Sequence, residues 1–170
     1  PGDARFLVLR PRRFTRLPWH RRGYLREYER DHVVEDFLRF PAEAVEQGAL
    51  ERREVLAFFN EDVLLPGGVE LGVFPADFWL EQIGRVERVV QACLARHPVA
   101  REGYQTRVWS FCAERLGSYL LIKHLRATSG GGWLARHVEP LGRRAWSRRH
   151  CGQLNLVVEG EAHAGYAGGT

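Results

Sequence analysis

Apolar positions recur with helical spacing over one long stretch, Tyr104–Leu125, YQTRVWSFCAERLGSYLLIKHL. It contains no Pro and a single Gly, and its length suits about six turns of helix. Val108, Phe111, Cys112, Leu116, Tyr119, Leu120 and Ile122 fall on a broad apolar face. Gln105, Arg107, Glu114 and Arg115 interrupt that face. Arg107 and Glu114 are two turns apart, so the spacing predicts that they share one side of the helix. A buried carboxylate or guanidinium needs a partner, because desolvating an unpaired charge is strongly unfavourable. One reading is a structural ion pair or a solvated polar stripe. The other is a wall of a site, with Arg holding an anionic ligand and Glu serving as base or hydroxyl acceptor.

The remaining elements are arranged around that helix. The run FLVL, Phe6–Leu9, reads as a short buried strand closed by Pro11. From Gly23 to Phe40 the pattern is helical, with Tyr28, His32 and Asp36 one turn apart on one face. A His one turn from a carboxylate is a metal pair, an acid/base pair or, most commonly, a surface ion pair; a metal needs more ligands than this segment offers. Pro41 is expected to open a second helix over Ala42–Arg52. VLAFFNEDVLL, Val55–Leu65, reads as strand, polar interruption and strand. That places Asn60-Glu61-Asp62 at a strand end, where α/β sheets carry ligands, or in a plain turn. Pro66-Gly67-Gly68 is a turn and Val69–Phe74 a further short strand.

Pro75 starts an amphipathic helix that runs through His97, with Phe78, Trp79, Ile83, Val86, Val90, Cys93 and Leu94 as its buried face. This helix reads as core scaffold. Ser129-Gly130-Gly131-Gly132 is a loop or a phosphate-contacting turn, without the strand–loop–helix spacing of a nucleotide loop. Leu154–Val158 is a last strand. The chain reads as one α/β domain over residues 1–158, with a Gly- and Ala-rich flexible tail at 159–170.

Composition narrows the functional classes. At 170 residues and 45% apolar, the chain can bury a real core, which argues against wholesale disorder. The net charge is only +4, and Lys123 is the sole Lys, so the cationic side chains are almost all Arg, suited to bidentate phosphate or carboxylate contacts. Basic runs near Trp19, Trp133 and Trp146 suggest an RNA- or polyanion-binding module, since Arg and Trp can stack on bases. Acidic residues spread through the same helices oppose that reading. A non-catalytic interaction domain is a third possibility. The three cysteines, Cys93, Cys112 and Cys151, form no Cys-x-x-Cys pair, so they suggest neither a zinc ribbon nor a disulfide framework; a reducing, cytoplasmic setting fits them. No run reaches the length of a membrane span. The sequence has no Met, so it is expected to be a processed chain or a piece of a longer one.

Several segments together resemble a bacterial family of glycosyltransferase-like proteins of capsule and polysaccharide biosynthesis, long catalogued as a domain of unknown function. FLVLRPRRF comes first, then Tyr28-Glu29-Arg30-Asp31-His32 with Glu35-Asp36, then FFNEDVLL, then FPADFWLEQIGRVERVV. YQTRVWSFCAERL closes the series with Gln105, Arg107, Phe111, Glu114, Arg115 and Leu116. The resemblance spans about residues 5 to 127. It implies a GT-A-like α/β fold, with a short mixed sheet and several packed amphipathic helices. It implies transfer of a sugar from a nucleotide-sugar donor to a glycan acceptor, in the cytoplasm and peripheral to the inner membrane, with no specific nucleic-acid partner. Arg107 and Arg115 are then candidates for the diphosphate clamp. Asn60 and Gln105 are candidate substrate contacts, and Glu114, Asp36 and His32, in that order, candidate bases. Mg or Mn is the implied cofactor, although the Asp-x-Asp pair that binds it is missing and Glu61-Asp62 is a poor substitute. The family's preceding strands and His-Tyr-Arg-Arg-like motif are also missing, so the chain is expected to be the second half of such an enzyme.

Overall fold

The longest apolar pattern becomes the central element of the fold. The computed structural model describes residues 6–9, 11–14, 23–129, 139–140, 154–158 and 161–162. Among these the helices are α1 (Tyr24–Asp31), α2 (Val34–Glu46), α3 (Val55–Asn60), α4 (Ala76–Arg96) and α5 (Val108–Ser129). Single turns of 3-10 helix precede α3 and α5, at Arg52–Glu54 and Gly103–Arg107. The fold is helix-rich mixed α/β.

Helix α5 is buried on nearly every side. Trp109, Phe111, Cys112, Ala113, Leu116, Tyr119, Leu120, Leu121, Ile122 and Leu125 all belong to one continuous core with Tyr24, Tyr28, Phe37, Phe40 and Phe58. A helix that is apolar all round belongs in the middle of a fold, and α5 packs chiefly on α4. Helix α4 is amphipathic, burying Phe78, Val86, Val89 and Cys93. Trp79 and Leu94, expected on its buried face, are 40% and 54% exposed. Trp79 leans sideways instead, and its indole N–H donates to the Val69 carbonyl at 3.1 Å.

Two small sheets flank the helices. The first has the order β4-β1-β6-β7, all antiparallel, formed by Gly72–Val73, Phe6–Leu9, Leu154–Val158 and Glu161–Ala162. Leu7 pairs with Val73 on one side and Leu156 on the other. The second sheet places β2 (Arg12–Arg13) between β3 (Val63–Leu64), antiparallel, and β5 (Glu139–Pro140), parallel.

Three local expectations are corrected. The helix expected over 23–40 breaks after Asp31, because His32 and Val33 are extended, at φ −140°, ψ 170° and φ −76°, ψ 108°. Pro41 does not open a new helix but lies inside α2. Phe37, Phe40, Pro41 and Ala44 are all buried, and their packing outweighs the one hydrogen bond that Pro removes. VLAFFN is a helix, not a strand; short apolar runs fit either periodicity, and here Phe58 is buried while Leu56 and Ala57 are exposed. Gly130–Gly132, Trp19, Trp133, Trp146, Cys151 and most of the tail lie outside the described residues.

Candidate functional site

The break between α1 and α2 creates a polar arrangement built from residues far apart in the sequence. Where a helix stops, its last carbonyls lack intrahelical donors. Here the Asp31 carbonyl accepts from Gln105 Nε2 at 3.0 Å. The same amide presents Oε1 to His32 Nδ1 at 3.3 Å. A carbonyl can only accept, so the Asp31 contact fixes the amide nitrogen, and the amide oxygen must accept from His32. Neutral His32 therefore carries its proton on Nδ1 and leaves the Nε2 lone pair available as base or acceptor.

Aromatic rings hold the imidazole in place. Its centroid is 4.2 Å from that of Phe111, in a stacked arrangement, and 4.6 Å from that of Tyr28. Tyr104 stacks further out, at 6.1 Å, and is 64% exposed. The Arg107 guanidinium lies over Phe111 at 5.6 Å and is also exposed. The result is a solvent-facing site with an aromatic wall, a cation, an amide and an imidazole. It is contributed by the end of α1, the 3-10 turn Gly103–Arg107 and the start of α5.

Beneath it lies Arg115, only 4% exposed. Its Nη1 donates to the Phe111 carbonyl at 2.8 Å, its Nη2 meets Glu27, and its guanidinium covers the Tyr28 ring at 4.9 Å. Burial, and then the adjacent Cys112 thiol, push the Tyr28 hydroxyl well above its ordinary pKa. The Cys112 thiol donates to Tyr28 at 3.6 Å and is itself pushed up by burial to about 12. Both groups stay protonated at neutral pH and serve as packing, not as nucleophiles.

The other candidates from the sequence lie elsewhere. Glu114 does not pair with Arg107 or Arg115; its carboxylate accepts the Gly67 backbone N–H at 2.9 Å and so holds the 66–70 turn to α5. The reason is rotation: Glu114 and Arg115 are about 100° apart around the helix, and Arg107 sits in the 3-10 turn before α5 begins. Near Glu114, burial and that neighbouring charge raise the Glu70 carboxyl above its usual value. Asp36 is 1% exposed and accepts from Arg101 Nη2 at 3.2 and 3.0 Å, with Arg39 at 3.6 Å. Asn60 ends α3 and donates to the Leu56 carbonyl at 2.9 Å, so it is not at a strand end.

The acidic pair after Asn60 does not fit a metal. Glu61 is held at both oxygens by Arg126, at 2.6 and 3.0 Å, and Asp62 faces Arg13 at 3.6 Å. Each carboxylate already has a cationic partner, and among the described residues no group of three or more His, Cys, Asp or Glu side chains is arranged to hold a metal ion. Among them, too, no helix is long and apolar enough to cross a membrane.

Sequence reasoning thus reached His32 and Gln105 separately but not as a pair. It missed Tyr104 as a site residue and Glu27 as the partner of Arg115. An exposed aromatic opening a buried helix was the available signal for Tyr104; none pointed to Glu27. No family model matches the chain, and no curated protein or solved structure is detectably similar to it.

Proposed function

We propose that the chain belongs to a nucleotide-sugar glycosyltransferase of the GT-A kind and that the His32–Gln105 cluster is its sugar-contacting site. The observation that carries this reading is the hydrogen bond between His32 and Gln105, 73 residues apart in sequence, beside the exposed Tyr104 and Arg107. Sugars are bound by just such mixtures, with C–H faces on an aromatic ring and hydroxyls on planar amide and guanidinium groups. His32 Nε2 is the base position. In an inverting transfer it takes the proton of the acceptor hydroxyl as that oxygen bonds to the anomeric carbon. The anomeric carbon–oxygen bond breaks at the same time, and its electron pair leaves with the nucleoside diphosphate. Arg107 attracts the anionic leaving group, and Gln105 holds the imidazole tautomer. Metal ions enter no step of this reading.

The test uses the intact protein that contains this chain. His32→Gln keeps a planar polar side chain but removes the base. Turnover is expected to fall by roughly 10²–10⁴ for a lost general base, with the melting temperature nearly unchanged. Tyr104→Ala is expected to weaken glycan binding seen by saturation-transfer NMR. Activity within a few fold of wild type in His32→Gln retires this assignment.

A further inference from the structure

The segment that delivers Tyr104 and Gln105 to the site has no helix or strand of its own between His97 and Glu102. Side chains hold it instead. His97 Nε2 and Glu43 Oε1 are 3.0 Å apart, Arg101 Nη2 reaches both oxygens of Asp36, and Gln105 reaches His32 and the Asp31 carbonyl. These contacts run in opposite directions along the two stretches: 97 with 43, 101 with 36, 105 with 32 and 31. The segment is therefore a strap laid antiparallel along α2, with Val99 packed on the core. It bends at Gly103, whose φ of +56° suits glycine and whose missing Cβ faces open space.

The middle clasp differs from the other two. Asp36 and Glu43 are both buried, but Arg101 brings a guanidinium to its carboxylate where His97 brings an imidazole and Gln105 a neutral amide. A charge-assisted contact from one guanidinium nitrogen to both oxygens of a buried carboxylate is the strongest kind of clasp in the set. It lies four residues before Gln105 on the strap and four residues after His32 on the helix side. We infer that Arg101 and Asp36 are positioning residues: their contact seats the strap so that the Gln105 amide reaches His32 and selects its Nδ1–H tautomer. The consequence for sugar transfer rests on the proposed function; the seating itself does not.

The experiment reads both levels. Arg101 is partly exposed, and in Arg101→Gln the Arg39 guanidinium still faces Asp36 at 3.6 Å. Long-range ¹⁵N NMR of the His32 ring reports the tautomer directly. In wild type the Nε2 resonance is expected at the unprotonated position, and Arg101→Gln is expected to shift it to the value seen in Gln105→Ala. Amides 101–107 are expected to exchange about tenfold faster or more, while those of α4 and α5 are unchanged. Arg101→Lys is expected to restore the tautomer in part. Arg39→Gln, which removes the other cation beside Asp36 without touching the strap, is expected to leave it unchanged. An unchanged His32 tautomer in Arg101→Gln overturns the inference, whatever the strap's exchange rate. If the tautomer moves but UDP-glucose and UDP leave every His32 and Tyr104 resonance in place, the positioning claim stands and the sugar-transfer reading loses its support.

Discussion

Glu27→Ala strips the buried Arg115 guanidinium of its carboxylate. The remaining polar contact of Arg115 is Nη1 to the Phe111 carbonyl, and its Nε has no partner among the described residues. Removing one member of a buried pair costs about 3–5 kcal/mol. The Glu27 side chain is 17% exposed, so water partly replaces it and the lower end of that range, about 3 kcal/mol, is expected. Glu27→Gln keeps an acceptor oxygen and is expected to cost about half as much. Urea unfolding at constant m measures both. The double variant Glu27→Leu with Arg115→Met exchanges the pair for apolar groups of similar size and is expected to recover most of the loss. A loss below about 0.5 kcal/mol in Glu27→Ala refutes the reasoning, because it means that Glu27 does not compensate the buried charge. The same variant separates structure from ligand binding. If Arg115 clamps a diphosphate, pyrophosphate raises the melting temperature of Glu27→Ala far more than that of wild type. If it is structural, the two respond alike.

Two further outcomes follow from the 66–70 turn. Gly68 has φ +52°, and a Cβ there would sit 2.6 Å from the Ser118 amide nitrogen and 2.9 Å from the Glu114 carbonyl oxygen. Neither backbone atom can swing away, so Gly68→Ala is expected to cost about 3 kcal/mol or more, read as a fall of roughly 6–12 °C in a thermal melt. Glu70 is held above its ordinary pKa by burial and by Glu114, so its contribution to stability is present below the unfolded value near 4.3 and lost as pH rises through the folded one. Glu70→Gln is therefore expected to stabilise at pH 7, by less than about 0.5 kcal/mol because water still reaches part of the side chain and screens it, and to be neutral below pH 4. Equal gains at both pH values contradict that cause.

What the sequence made legible was what local spacing controls. The FLVL strand falls at Phe6–Leu9 as expected, and α4 begins directly after Pro75 and ends one residue before the expected His97. The core positions Phe111, Leu116 and Leu120 of α5 are buried. The α1–α2 break was not legible, because the group that caps it is distant in sequence: the Asp31 carbonyl accepts from Gln105. Local signals favoured a break at Pro41, and tertiary packing overrode them. The candidate site was half legible for the same reason. His32 stands out one turn from a carboxylate and Gln105 as an interruption of an apolar face, but only the fold brings them into contact. Glu114 stood out equally, and its partner is the backbone of Gly67, which side-chain pattern does not reveal.

The pairing of β1 with β6 has a consequence for how the chain is made. Leu9 pairs with Leu154, so one edge of the FLVL strand waits for a partner synthesised about 145 residues later. At typical elongation rates that interval lasts roughly 7–30 s. The helices α1 to α5 are complete before it closes, and among the described residues only the two-residue β4 is available earlier to cover the opposite edge. A nascent chain stalled after α5 thus exposes an apolar strand edge able to pair with another copy. The first sheet is completed only after the helices that carry His32 and Gln105 have been synthesised.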